Sequence, residues 1–209
     1  MRGTNARLLC GILCAAAVCG AQDSPVRLHR KVEPQYSEEA RIARLEGNVV
    51  LKVMVGTDGK ASDLQVLRGL GMGLDEIAVA TISAWQFDPA TKHGEPVSAR
   101  AQIEVNFRML EKGGWHLTRA EFHLPEGVSR PVLKTAKGPA VTADADGATV
   151  TMAFVIDEQG VPVNVQVEKA SDENWARDVT AALREWKFTP AHKDDLPISV
   201  PCTMDFELR

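Results

Sequence analysis

The sequence predicts an α+β protein built from two tandem copies of one small unit. Each copy reads strand–strand–helix–strand, which gives a three-stranded antiparallel sheet with one helix packed on a face. Three observations lead there. Val49–Phe107, shifted by 101 positions, falls on Val150–Leu208 without a gap. Inside that overlay Trp85-Gln86-Phe87-Asp88-Pro89-Ala90 meets Trp186-Lys187-Phe188-Thr189-Pro190-Ala191, while Gly59 meets Gly160, Val66 meets Val167 and Pro96 meets Pro197. The hydrophobic period also changes twice within each copy, from alternation to helical spacing and back.

The elements follow in order. Val49, Leu51, Val53 and Val55 alternate with Val50, Lys52 and Met54, the pattern of a strand with one buried face; Val150, Met152, Phe154 and Ile156 repeat it. Thr57-Asp58-Gly59-Lys60 and Asp157-Glu158-Gln159-Gly160 are hairpin turns. The returning strands carry Leu64 and Val66, then Val163, Val165 and Val167. Leu74, Ile77, Ala78, Thr81, Ile82 and Trp85 recur at helical spacing, as do Trp175, Val179, Ala182, Leu183 and Trp186. Each helix must stop before Pro89 or Pro190, because the residue ahead of a proline avoids helical geometry. The last strand buries Val97, Ala99, Ala101, Ile103, Val105 and Phe107 in copy one, and Ile198, Val200, Cys202, Met204, Phe206 and Leu208 in copy two.

Copy one has an additional front piece. Ser37–Gly47 reads as a short helix with Ser37 as N-cap, acids in its first turn and Gly47 as its stop. The corresponding stretch of copy two, Gly138–Gly147, is poor helix material. Ala120, Phe122 and Leu124 alternate in the linker 113–137, so a strand there belongs to copy two; its place in a sheet is not readable.

The chain start belongs to neither copy. Arg2 and Arg7, an apolar core from Leu8 to Val18, small residues up to Ala21 and then Gln22-Asp23-Ser24-Pro25 have the layout of a secretory signal peptide cut after Ala21. The apolar run from Leu8 to Ala21 has 14 residues. A membrane span needs about 20, so no stable span is expected after processing, and membrane anchoring is the lesser alternative. Lipidation of Cys19 is disfavoured by Val18, which stands where a small residue is wanted. The expected organisation is thus residues 1–21 signal peptide, 22–112 first domain, and 113–209 second domain including the linker. Cys10, Cys14 and Cys19 leave with the signal, and Cys202 alone cannot form an intrachain disulfide.

Loss of Arg2 and Arg7 takes the net charge from −4 to −6, which argues against nucleic acid as a partner. No cofactor is expected. Gly69-Leu70-Gly71-Met72-Gly73 sits between a strand and a helix, but Leu74 stands where a dinucleotide loop needs its third glycine. Of His29, His93, His116, His123 and His192, only His116 and His123 are near one another, and neither belongs to a ligand motif, so no metal is expected. No Gly-x-Ser-x-Gly or His-Glu-x-x-His occurs, and no catalytic residues are assigned; the protein is read as a non-enzyme. Trp85, Trp186, Phe87 and Phe188 are in phase with the core rather than with a ligand cage.

Pro34-x-Tyr36, Ala40-Arg41, Glu46-Gly47-x-Val49, Asp58-Gly59, Gly71, Leu74-Asp75, Trp85-x-Phe87-x-Pro89-Ala90 and Gly94-x-Pro96-Val97 together resemble the C-terminal domain of the TonB family over about residues 25–109. Copy two resembles it in degenerate form, without the Pro-x-Tyr and Ala-Arg segment. The resemblance implies two tandem TonB-C-terminal-like domains in the periplasm. It also implies a protein-binding role in outer-membrane transport or envelope assembly, with an extended segment of an outer-membrane transporter or other envelope protein as partner. This sequence departs from the family pattern in having Ser37 where a proline usually follows the tyrosine, and about four residues between Ala21 and the module.

The mechanism is strand addition: an edge strand offers unpaired backbone groups to an extended peptide. In copy one the polar side chains of the last strand are Ser98, Arg100, Gln102, Glu104, Asn106 and Arg108, the peptide-binding candidates. In copy two they are Ser199, Pro201, Thr203, Asp205 and Glu207, and Pro201 cannot donate to a ladder. Copy one is expected to bind and copy two to support. The alternative is a structural module whose edges pair into a strand-exchanged homodimer.

Overall fold

The structure is a computed structural model that describes residues 12–13, 23–109, 114–140 and 146–209. Ala21, the expected cleavage point, and Cys10, Cys14 and Cys19 lie outside the described residues.

The strands in chain order are β1 (Ile12–Leu13), β2 (Arg27–Arg30), β3 (Gly47–Val55), β4 (Ala61–Arg68), β5 (Gln86–Asp88), β6 (Ala90–Lys92), β7 (Glu95–Val97) and β8 (Ala99–Phe107). The second half carries β9 (Trp115–Phe122), β10 (Val132–Thr135), β11 (Thr149–Ile156), β12 (Pro162–Ala170), β13 (Lys187–Thr189), β14 (Ala191–Lys193), β15 (Leu196–Ile198) and β16 (Val200–Leu208). The helices are α1 (Glu38–Ile42), α2 (Leu74–Ser83) and α3 (Glu173–Leu183). The result is a mixed fold of mostly antiparallel sheets with few helices.

Both halves repeat the same hydrophobic logic. Val49, Leu51, Val53 and Val55 of β3 are buried, as are Val150, Met152, Phe154 and Ile156 of β11. The helices turn Leu74, Ala78 and Ile82, or Trp175, Val179 and Leu183, onto that face. Trp85, Phe87, Trp186 and Phe188 are all core residues. Their indoles are anchored, Trp85 Nε1 donating to Val32 O at 2.7 Å and Trp186 Nε1 to Lys137 O at 2.9 Å. Both hairpin turns lean on the Trp-x-Phe strand: Phe87 N donates to Gly59 O at 2.9 Å and Phe188 N to Gly160 O at 2.8 Å.

Two large sheets result, with strand orders β1-β8-β3-β4 and β12-β11-β16-β9. The expected three strands are present in each, and each gains a fourth. In the second half that strand is β9, from the linker. Small two-stranded ribbons pair β2 with β5, β6 with β7, β10 with β13, and β14 with β15. The front helix departs from the expectation. Ser37 caps it, its Oγ accepting from Ala40 N at 3.1 Å, but it ends at Ile42. Arg44 adopts a left-handed backbone (φ 52°) and turns Leu45 into the core, so Gly47 opens β3 rather than stopping α1.

The halves share one continuous buried cluster. At their junction Leu117 N donates to Arg44 O at 3.2 Å, Glu46 N to Leu117 O at 2.8 Å and Ala120 N to Leu70 O at 2.8 Å. A Cβ on Gly71 would meet Ala120 O at 2.0 Å, so this approach needs the glycine. Glu39 pairs with Arg130 at 2.5 Å across the same boundary.

Candidate functional site

The two last strands differ in what lies along their outer margins. β16 pairs with β9 from Cys202 opposite Phe122 to Leu208 opposite Trp115, so its ladder is filled from within the chain. β8 has β3 on its inner side along its whole length. On its outer side, among the described residues, it pairs only with β1, where Ile12 faces Ile103 and Leu13 faces Gln102. Both added strands run antiparallel to the strand that receives them.

The polar side chains of copy one fall as follows. Arg100 and Gln102 on β8 are exposed, as are Ser98 just before it and Arg108 just after it. Glu104 is half-buried and accepts a hydrogen bond from Asn48 Nδ2 at 3.3 Å. Asn106 departs from the exposed pattern. It is 8% exposed, and its amide donates to the Asn48 side chain directly across the ladder. Alternation placed it on the polar face, but not under the cover that the junction supplies. Thr203 and Asp205 of copy two are drawn into contacts with His123, Thr118 and Thr151.

At the Asn106–Arg108 end of β8 lies a cleft of about 560 Å³. Arg68, Arg108, Arg119 and Arg209 line it, with Glu46 as its carboxylate and the Asn48–Asn106 pair beside them. Toward the other end Lys52, Asp63 and Arg100 line a second hollow of about 520 Å³. Tyr36 closes the core behind the β8 terminus. Its ring stands edge-on to Phe107 at 5.5 Å and its hydroxyl donates to Leu45 O at 3.1 Å. Burial, and then the nearby Glu46 charge, push the phenol well above its ordinary pKa, so it stays a donor. Sequence reasoning named Tyr36 as a motif residue without finding this role.

The glycine-rich loop closes on itself. The Asp75 carboxylate accepts from Leu70 N at 2.8 Å and Gly71 N at 3.2 Å, placing a negative charge where a phosphate would need to sit. Among the described residues, no group of three or more His, Cys, Asp or Glu side chains is placed to hold a metal ion. His116 is buried at 5% exposure with Nε2 3.6 Å from Glu207. Burial and the charges of Arg209 and Arg44 outweigh Glu207 and Glu46 and lower its pKa. Cys202 is buried, and its thiol is pushed up by burial and by Glu121. Among the described residues, no helix is long and apolar enough to cross a membrane.

Comparison with known proteins agrees with the repeat. The model of the Gram-negative bacterial TonB protein C-terminal family matches residues 32–109 and again residues 141–208. Protein TonB of Vibrio cholerae is 31% identical over 88 residues, 42% of this chain and 36% of that protein. Protein tonB2 of Pseudomonas aeruginosa is 30% identical over 77 residues, 36% of this chain and 28% of that protein. The chain thus spans about a third of the length of these relatives. The solution NMR structure of the Pseudomonas aeruginosa TonB C-terminal domain is 25% identical, covers 44% of this chain and 94% of its own, and superposes with a TM-score of 0.37.

Proposed function

Because the chain belongs to the TonB C-terminal family, we propose that it is an exported, non-enzymatic protein of the cell envelope that binds an extended segment of a partner by strand addition along β8. One observation carries the reading: β16 is covered over seven residues by β9, whereas among the described residues the outer margin of β8 carries only the two-residue β1. If residues 1–21 are removed after Ala21 during export, β1 leaves with them and the outer margin of β8 opens. Backbone hydrogen bonds then supply affinity, and Arg100, Gln102, Glu104 and Arg108, with Ser98 at the strand entrance, select the partner. Asn106 acts from beneath by holding Asn48. The partner is an outer-membrane transporter or another envelope protein, and the role is in transport or envelope assembly. Copy two, residues 113–209, folds against residues 22–112 and supports them, with β9 in the place a ligand would take.

Site-directed crosslinking tests this. Gln102→Cys is expected to form a mixed disulfide with a cysteine placed centrally in an extended peptide of alternating apolar and polar residues. Thr203→Cys, at the matching place of the covered strand, is expected to stay unlinked. Equal crosslinking at both positions contradicts the reading.

A further inference from the structure

We propose that the arginine-lined cleft where the two halves meet is a binding site for a phosphate monoester, free or carried as a lipid headgroup. The inference goes beyond the partner segment and does not rest on strand addition along β8.

The cleft inverts the charge of the molecule. The chain as a whole is net −4, yet four arginines line this space against one carboxylate, Glu46. That carboxylate is already engaged. Its side chain is only 12% exposed, and it accepts from Arg209 Nη1 at 3.0 Å and from Met109 N at 2.9 Å. Arg119 is paired with Glu121. Arg68 and Arg108 have no hydrogen-bonded or ionic partner among the described residues, and both are exposed on the cleft wall.

The fold gathers these side chains from four separate places: Arg68 from the end of β4, Arg108 from the exit of β8, Arg119 from β9, and Arg209 from the chain terminus. The bond from Ala120 N to Leu70 O, 2.8 Å long, holds the strand that carries Arg119 against the loop that follows Arg68. The terminus is held by a reciprocal pair, Arg209 N to Gly114 O at 2.9 Å and Gly114 N to Arg209 O at 2.6 Å. Arg108 and Arg209 are equivalent positions of the repeat, each the first residue after its last strand. The cleft therefore collects the same arginine from both copies, and neither half holds the full set.

The chemistry selects phosphate. A guanidinium presents a planar fork of N–H donors, and one carboxylate fills one fork. A phosphate monoester brings nearly two negative charges at neutral pH and three acceptor oxygens, so it can engage two forks at once. Arg68 and Arg108 are the two left open. The cleft volume, about 560 Å³, falls within the roughly 300–1,000 Å³ of small-molecule sites.

Two assays on the purified protein test this. The first is an NMR titration of the labelled chain at constant ionic strength with glycerol 3-phosphate, glycerol and acetate. The second is flotation with phosphatidylcholine vesicles, with and without phosphatidic acid, whose headgroup is a phosphate monoester. Glycerol 3-phosphate is expected to shift the amides of Gly47, Gly69 and Thr118 and to bind about tenfold tighter than acetate, with glycerol silent. Flotation that needs phosphatidic acid, without a response to glycerol 3-phosphate, assigns the site to a lipid headgroup instead of a free ligand. In whichever assay responds, binding weakens as salt rises. Arg68→Gln combined with Arg108→Gln weakens it about tenfold more, with an unchanged urea midpoint because neither side chain holds a partner. Arg177→Gln, on α3, leaves binding as it was. Acetate bound as tightly as glycerol 3-phosphate, binding that survives the double substitution, or no response in either assay overturns the proposal. Each of those results leaves strand addition standing, since that reading is tested with a peptide and not with these probes.

Discussion

Arg130 reaches across the junction of the two halves to the buried carboxylate of Glu39, 2.5 Å from Nη2 to Oε1. Glu39 also accepts from Leu133 N at 3.4 Å, so one side chain of α1 ties down both the loop before β10 and β10 itself. Burial works against the Arg130 charge, but the Glu39 hydrogen bond and the charges of Glu39, Glu76 and Asp75 outweigh it, and the pKa rises. Arg130→Met leaves a buried carboxylate unpaired. Arg130 is itself partly exposed, so a loss of about 2 kcal/mol is expected rather than the full figure for a buried pair. Arg130→Met combined with Glu39→Gln should recover most of that loss in urea unfolding; an additive double variant contradicts the coupling.

The turn glycines make a sharper prediction. A Cβ on Gly160 would stand 1.8 Å from Phe188 O, and one on Gly59 2.1 Å from Phe87 O. The obstruction is backbone and φ is near +74° at both, so neither neighbour nor dihedral can yield. Gly160→Ala is expected to cost about 2–4 kcal/mol. Gly147→Ala, with φ +81° and nothing within 4 Å, carries only the dihedral penalty, about 1 kcal/mol. Denaturant midpoints for the pair check the difference.

The glycine pair shows how much of the fold was legible. Gly59 and Gly160 stood out because a turn glycine at a fixed distance from a Trp-x-Phe string occurs twice, and long strands announce their buried face by alternation. The short ribbons were not legible. Three residues such as Gln86–Asp88 show no period, and Asp194-Asp195 turns with positive φ at both residues without a glycine to mark it. The unit also extends further upstream than the gapless overlay. Leu28 pairs with Phe87 as Leu133 pairs with Phe188, an offset of 105 rather than 101, and a four-residue slip hides that from direct alignment. At the candidate site, alternation identified the polar face of β8 but could not show that β9 fills the margin of β16 or that Asn106 is covered. The first depends on a pairing within the second half between β16 and a segment that lies outside the repeated overlay, the second on contacts between the halves.

His116 predicts a pH dependence. Its folded pKa is lowered from the ordinary 6.5, chiefly by burial and by Arg209. Above that value both the folded and unfolded chains hold it neutral, and it contributes no slope. As pH falls below 6.5 the unfolded chain takes up the proton first, so stability is lost down to the lowered folded pKa and then levels off. Unfolding free energies measured from pH 7.5 to 4.5 should show this loss, and His116→Gln should flatten it. An unchanged slope in the variant would assign the effect elsewhere.

The most direct measurement of the central claim is an NMR titration of the labelled protein, lacking residues 1–21, with an extended peptide of alternating apolar and polar residues. Amide shifts confined to Ala99–Arg108 and its neighbours on β3, with Val200–Leu208 unmoved, are the expected result. Shifts along Val200–Leu208 instead, or a β8 whose amides stay silent at saturating peptide, would contradict the account.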